Sequence, residues 1–243
     1  MENIEHLLNT YSLYLLAFGT ASLAILALIA LRVKKLTEES KKILFLAIIL
    51  VTLIPTIVMS ASTVYLNTIS SSGGPVHWHA DLEIWDCGTK IDLLNPQGLS
   101  NRVGTPVFHE HNDFRIHVEG AVVKKKDISL GNFFNVVGGV LTGGSLEIPT
   151  NGGITSLQEG DLCNGKPGKV QVFVYKVVNP KERGNWIYTQ EKIENFADYV
   201  LSSYSMAPPG DCIIIEFDSE KEKTDKICTT YEAAVNRGEL HGR

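Results

Sequence analysis

Two uncharged apolar runs, Tyr11 to Leu31 and Ile43 to Leu66, decide what the first 66 residues of this chain can become. At 21 and 24 residues they reach about 32 and 36 Å as helices, enough to cross a hydrocarbon core of about 30 Å. Both are longer and more uniformly apolar than a soluble core helix. Pro55 would break a soluble helix, whereas a membrane helix tolerates it as a kink. A cleaved signal peptide fits less well, because nothing basic precedes Tyr11 and Met59-Ser60-Ala61 is a poor cleavage site. Between the runs lie Arg32, Lys34, Lys35, Lys41 and Lys42, against no Lys or Arg in the first ten residues. The positive-inside rule then predicts loop 32–42 in the cytoplasm and both termini outside. The expected organisation is a multi-pass anchor in the cell membrane, residues 1–66 with spans 11–31 and 43–66. A small polar linker, 67–75, leads from it to an extracytoplasmic domain, 76–243.

The anchor holds 5 of the 22 basic and 4 of the 27 acidic residues, which leaves 17 against 23 outside it. That acidic balance argues against a nucleic-acid partner and favours cation binding and solubility. All four cysteines, Cys87, Cys163, Cys212 and Cys228, fall in the outer part. An even count in an oxidising compartment predicts disulfides. Three pairings are open, and Cys212 with Cys228 is favoured because their loop is short and turn-like. Free or metal-ligating thiols are the alternative, although the absence of C-x-x-C removes a zinc ribbon.

Alternation predicts strands at Val76 to Trp85, Lys90 to Leu93, Phe114 to Val123, Lys169 to Val178 and Cys212 to Phe217. Short helices are predicted after Ser129, over Lys192 to Leu201, and from a capping box at Thr229-x-x-Glu232 to about Gly238. Leu130, Phe133, Phe134 and Val137 share one helical face and read as core packing rather than an aromatic ligand box. The fold class expected is two transmembrane helices followed by a β-rich α+β domain, a small sheet or sandwich with short helices.

Five of the seven histidines lie within 41 residues, as His77-Trp78-His79, His109-Glu110-His111 and His117. Acids keep strand phase with them: Asp81 and Glu83 after His79, then Asp113 and Glu119 around His117, with Arg115 in the same phase. Alternate residues of a strand share a face, so each segment would present a row of imidazoles and carboxylates. Convergent neutral imidazoles are what a borderline or transition-metal ion needs. The expected ligands to one ion are His77, His79, His109 and His111, with His117 nearby. Glu83, Asp113 and Glu119 would serve as further ligands or as acceptors that fix the imidazole tautomers. A nitrogen-rich shell favours copper or zinc, with iron the third choice, over magnesium or calcium. A hydrogen-bonded polar cluster or a pH-sensitive patch is the bland alternative.

The spacing His77-x-His79-x-x-x-Glu83 resembles a cupin metal motif, but no glycine stands six residues before His77 and no second motif follows. Neither G-x-S-x-G nor H-E-x-x-H occurs, and no Lys-Ser/Thr follows the paired glycines at 138–139 and 143–144. Lys124-Lys125-Lys126 is too short for a lipid-binding patch.

His77-Trp78-His79-Ala80-Asp81-Leu82-Glu83-Ile84, His109-Glu110-His111 through Ile116-His117-Val118-Glu119, and Leu130-Gly131-Asn132-Phe133-Phe134 stand in this order, followed by Val170-Gln171-Val172-Phe173-Val174. Over about Val76 to Phe217 the chain resembles a prokaryotic extracytoplasmic module of patterns H-x-H-A-x-L-x-I, H-T-H-D-x-x-G-I-I-H-I-E and L-G-x-F-F. Here Glu110 replaces the threonine, no glycine precedes Ile116, and one residue fewer separates His111 from His117. The resemblance implies a secreted or membrane-tethered protein with a histidine cluster and no particular activity.

Three function classes follow: a membrane-tethered metal-binding protein for handling, sensing or structure; a metalloenzyme, cupin-like oxygenase or metal-assisted hydrolase, with an open coordination position; and an accessory subunit whose helices pack in a membrane complex. Binding is preferred over catalysis. The expected partners are the lipid bilayer and, through the helices, another membrane protein.

Overall fold

A computed structural model describes residues 4–33 and 35–243; Lys34 of the basic loop lies outside the described residues. The chain divides into two units, one ending at Gly73 and the other Gly74–Arg243.

The first unit is a pair of helices, α1 (Ile4–Arg32) and α2 (Glu38–Ile69). Thr37 caps α2 by accepting the Ser40 N–H at 3.2 Å, and Glu38 and Glu39 pair with Lys41 and Lys42 one turn on. Both helices are long and apolar enough to cross a membrane. Thr52 and Thr56 return their hydroxyls to carbonyls of the preceding turn, so neither leaves a bare donor on an apolar surface. Pro55 has no N–H to give the Val51 carbonyl. A Cβ at Gly19 would lie 3.4 Å from that oxygen and from Pro55 Cγ, so the glycine admits the close approach of the two helices.

In the second unit the strands are β1 (Pro75–Asp86), β2 (Thr89–Lys90), β3 (Val103–Gly104), β4 (Phe108–Glu110), β5 (Arg115–Ala121), β6 (Val140–Leu141) and β7 (Ser145–Thr150). They continue as β8 (Gly153–Gln158), β9 (Leu162–Cys163), β10 (Lys166–Pro167), β11 (Lys169–Val177), β12 (Trp186–Ile193), β13 (Cys212–Asp218) and β14 (Leu240–Gly242). Helix α3 is Leu130–Val136 and α4 is Thr229–Asn236. Nine strands form one sheet in the order β14-β12-β11-β13-β1-β5-β4-β3, with β2 paired to β1. This sheet is larger than the small one expected. Neighbours run antiparallel except β1 with β13 and β12 with β14.

One face of the sheet, with Ala80, Leu82, Ile84, Ile116, Val118, Val172 and Ile213, builds the main core. Leu130, Phe133 and Phe134 of α3 pack there, as do Leu146, Ile148 and Leu157 of the separate three-stranded sheet β6-β7-β8. Ser129 caps α3 by accepting the Asn132 N–H. The opposite face is divided. Over β11, β13 and β12 it is apolar, with Phe173, Tyr175, Ile214 and Trp186 packed beneath Tyr231 and Ala234 of α4. Over β1, β5 and β4 the same face carries the histidines.

Both cysteine pairs sit at disulfide distance, Cys212 with Cys228 (Cα–Cα 5.8 Å) and Cys87 with Cys163 (5.4 Å). The first ties β13 to the start of α4, and the second ties the β1–β2 turn to β9.

Three local expectations give way. Lys192 to Leu201 is no helix: β12 runs to Ile193, which pairs with Val172, and only a 3-10 turn, Phe196–Asp198, follows. The β-favouring run Trp186 to Thr189 outweighs the helical spacing, while Phe196 and Leu201 still reach the core. The return strand after the β1–β2 turn is only Thr89–Lys90. Cys228, rather than Thr229, stands at the N-cap position of α4 and makes no side-chain cap bond, while the Thr229 N–H and hydroxyl are both given to Glu83 Oε1, at 3.1 and 3.0 Å.

Candidate metal centre

Sheet register assembles the cluster. His79 of β1 is directly opposite His117 of β5, and His117 is directly opposite His109 of β4. Three imidazoles thus form a row across three adjacent strands. In the next row His77 faces Glu119, and on the other side Asp81 faces Arg115 and pairs with it at 3.1 Å. His111 lies just past β4, in a turn where Asn112 and Phe114 take left-handed φ of 58° and 55°. That turn swings its ring back to within 4.7 Å of the His117 ring, centroid to centroid.

Ligand atoms converge in two groups, His77, His79 and His117 in one and His109, His111 and His117 in the other, each within 4.8 Å of one another. With bonds of about 2.0–2.1 Å, nitrogens on one ion stand at most about 4.2 Å apart, so roughly half an ångström of contraction would close either group. All five predicted histidines meet here. His117, expected at the margin, is the member common to both groups, because strand pairing puts β5 between β1 and β4.

Backbone carbonyls set two of the tautomers. His79 Nδ1 lies against the Ser205 carbonyl and His111 Nδ1 against the Asn101 carbonyl. A carbonyl only accepts, so each ring carries its proton on Nδ1 and has its lone pair on Nε2. His79 Nε2 stands 2.9 Å from His77 Nε2. His117 Nε2 meets Asp113 Oδ2 at 3.0 Å, and His77 Nε2 meets Glu119 Oε1 at 3.3 Å. The Nδ1 atoms of His109 and His117 are buried and have no hydrogen-bond partner among the described residues. Buried polar atoms are rarely left so, and a polar cluster held only by hydrogen bonds would satisfy them. Nitrogen donors of this kind fit a transition-metal ion.

At His79 and His109 the surroundings favour the neutral imidazole. Burial pushes His109 down to about 4, against an upward pull from Glu119. Burial also lowers His79, opposed by its bond to Ser205. For Asp113 burial acts upward, but the hydrogen bond and charge of His117 outweigh it and hold the carboxyl below its usual range. Desolvation raises Asp81 to about 6 despite Arg115.

The carboxylates predicted as helpers separate. Asp113 and Glu119 touch the histidines. Glu83 shares their face of β1 but takes Lys90 Nζ at 2.8 Å and Thr229 at the start of α4, so it is no partner of the cluster. Glu110, between two histidines in sequence, points to the other face. It is buried beside Leu93, Phe133 and Ile148, and burial raises it to about 7.

Sequence reasoning missed the carbonyl partners, which no side-chain motif announces. It also missed two close approaches that only glycine permits. A Cβ on Gly210 would lie 2.3 Å from the His79 carbonyl oxygen, and one on Gly104 2.6 Å from that of Phe108. Asp211 anchors the loop that carries Ser205: it accepts the Tyr199 hydroxyl at 2.8 Å, the Ser202 N–H at 2.9 Å and the Ser202 hydroxyl.

Comparison with family models, curated proteins and solved structures gives no significant match. The cluster has to be understood from its own geometry.

Proposed function

We propose that this chain is a membrane-tethered protein whose domain outside the membrane binds a transition metal, copper or zinc, for handling, sensing or structure. The observation that carries it is the three-strand row His79, His117, His109, flanked by His77 and His111, with Nε2 lone pairs on His79 and His111 and buried nitrogens on His109 and His117 that have no partner among the described residues. Five imidazoles and two carboxylates form a donor set that suits copper or zinc better than oxygen-seeking cations. The extracytoplasmic placement is supported by the basic loop between the helices and by cysteines paired in an oxidising setting.

A metalloenzyme is the second reading, favoured by one feature: the His77 side chain is 62% exposed, which gives solvent or a substrate access to that side of the site. Elemental analysis of the full chain, purified in detergent after exposure to copper and zinc, tests binding. Stoichiometric metal in the wild type and its loss in His117→Ala is the expected result; no retained metal in the wild type would overturn the proposal.

A further inference from the structure

Resting on that reading, the geometry points to a centre for two ions. We propose that it is binuclear: one metal ion over the gap between β1 and β5, held by His77 and His79, and a second over the gap between β5 and β4, held by His109 and His111. His117 and Glu119 stand between them.

Three observations carry this. First, the two histidine pairs sit on strands that do not touch. β5 separates β1 from β4, and adjacent strands lie about 4.8 Å apart. The His79 and His109 backbones are therefore roughly 10 Å apart, and the His117 ring stands between theirs, 4.7 Å from one and 5.5 Å from the other. Second, the ligand atoms gather as two groups of three rather than one group of five, with His117 in both. A neutral imidazole offers one nitrogen lone pair and the second only after its N–H proton is lost, so His117 would serve both ions as an imidazolate, releasing that proton to solvent as the second ion binds. Third, the Glu119 carboxylate is shared in the same way. Its Oε1 lies 3.3 Å from His77 Nε2 and its Oε2 4.0 Å from His109 Nε2, one oxygen towards each pair. A carboxylate so placed can bridge two cations. Both shared residues come from the middle strand, between the two histidine pairs.

Copper(II) serves as the probe, because nitrogen sites bind it more tightly than the other divalent first-row ions. It is titrated into the full chain in detergent, after metal removal, and followed by stoichiometry and electron paramagnetic resonance. Two ions per chain with mutually coupled spins is the expected result. One ion per chain would overturn the binuclear centre and leave the metal-binding proposal standing, whereas none would overturn both. Two ions without spin coupling would place the second elsewhere and overturn it as well. His77→Ala/His79→Ala and His109→Ala/His111→Ala should each keep one uncoupled ion, and a folded variant that keeps two, or none, contradicts the assignment. Should a variant fail to fold, the wild-type stoichiometry and coupling decide alone.

Discussion

The two halves of one sheet face follow the same alternation and end in opposite chemistry. Over β11 and β13 the outward positions are Phe173, Tyr175, Ile214 and their neighbours, and α4 covers them. Over β1, β5 and β4 the equivalent positions are His77, His79, His117, Glu119 and His109, met by loop carbonyls instead of a helix. Strand β1 crosses the divide: His77 and His79 belong to the polar half, while Glu83 and Trp85 reach the α4 side. Apolar burial under a helix contributes stability, at about 25 cal/mol per Å². The row of imidazoles contributes little of that, so the histidine strands are held by their reverse face, where Ala80, Phe108, Ile116 and Val118 join the main core.

If this division is right, substitutions in the two halves must fail differently. His117→Ala should have the largest effect on binding, abolishing stoichiometric metal in both groups while circular dichroism stays near wild type. Loss of the fold instead would make the histidine row a structural element. Ile214→Ala, fully buried beneath α4, should cost about 2–5 kcal/mol in denaturant unfolding. Its metal content at saturating ion should be unchanged, and a parallel loss of metal would break the comparison. Asp113→Ala removes the acceptor at His117 and should weaken metal affinity about 10–100-fold, read by competition with a chelator. Glu83→Gln, on the same strand face but engaged with Lys90 and Thr229, should lower stability by about 1–3 kcal/mol and leave metal affinity alone. Altered affinity there would mean that Glu83 does serve the cluster.

The smallest effect is in pH, and its sign differs between neighbours. In the metal-free protein, His109 is held down to about 4, below its unfolded value near 6.5. The unfolded chain takes up the proton first, so this histidine costs stability as pH falls from about 6.5 to about 4. Glu110 is raised to about 7 by burial, above its unfolded value near 4.3. The folded state keeps that proton longer, so Glu110 costs stability as pH rises from about 4.3 to about 7. The two slopes oppose each other. Glu110→Gln should expose the histidine slope, with thermal stability rising more steeply between pH 4 and 7 (about the window set by these values) than in the wild type. An unchanged profile would show that Glu110 does not titrate in that range. Metal affinity should fall as pH falls through the histidine range, since imidazolium has no lone pair to offer.

Much of this was legible because strand phase is a local property. His77-x-His79 and Arg115-x-His117-x-Glu119 place their residues on one face whatever the fold does. Ser129 as a helix cap and the Cys212–Cys228 pair are equally local. What escaped was set by register between distant segments. That His117 stands at the centre depends on β5 lying between β1 and β4, which no spacing states. Glu83 kept strand phase with the histidines yet is claimed by Thr229, 146 residues away. Glu110 sits between two histidines in sequence, and strand alternation turns it to the opposite face.

Asp211 touches none of the histidines, yet it decides which atom of one of them is offered to a ligand. By gripping Tyr199 and Ser202 it fixes the loop whose Ser205 carbonyl claims the proton of His79 Nδ1. Genealogically, then, five histidines are an incomplete signature of this site. A chain that kept all of them but lost the aspartate and the glycine beside it would preserve the donors and lose their aim, and counting histidines alone would wrongly admit it as kin.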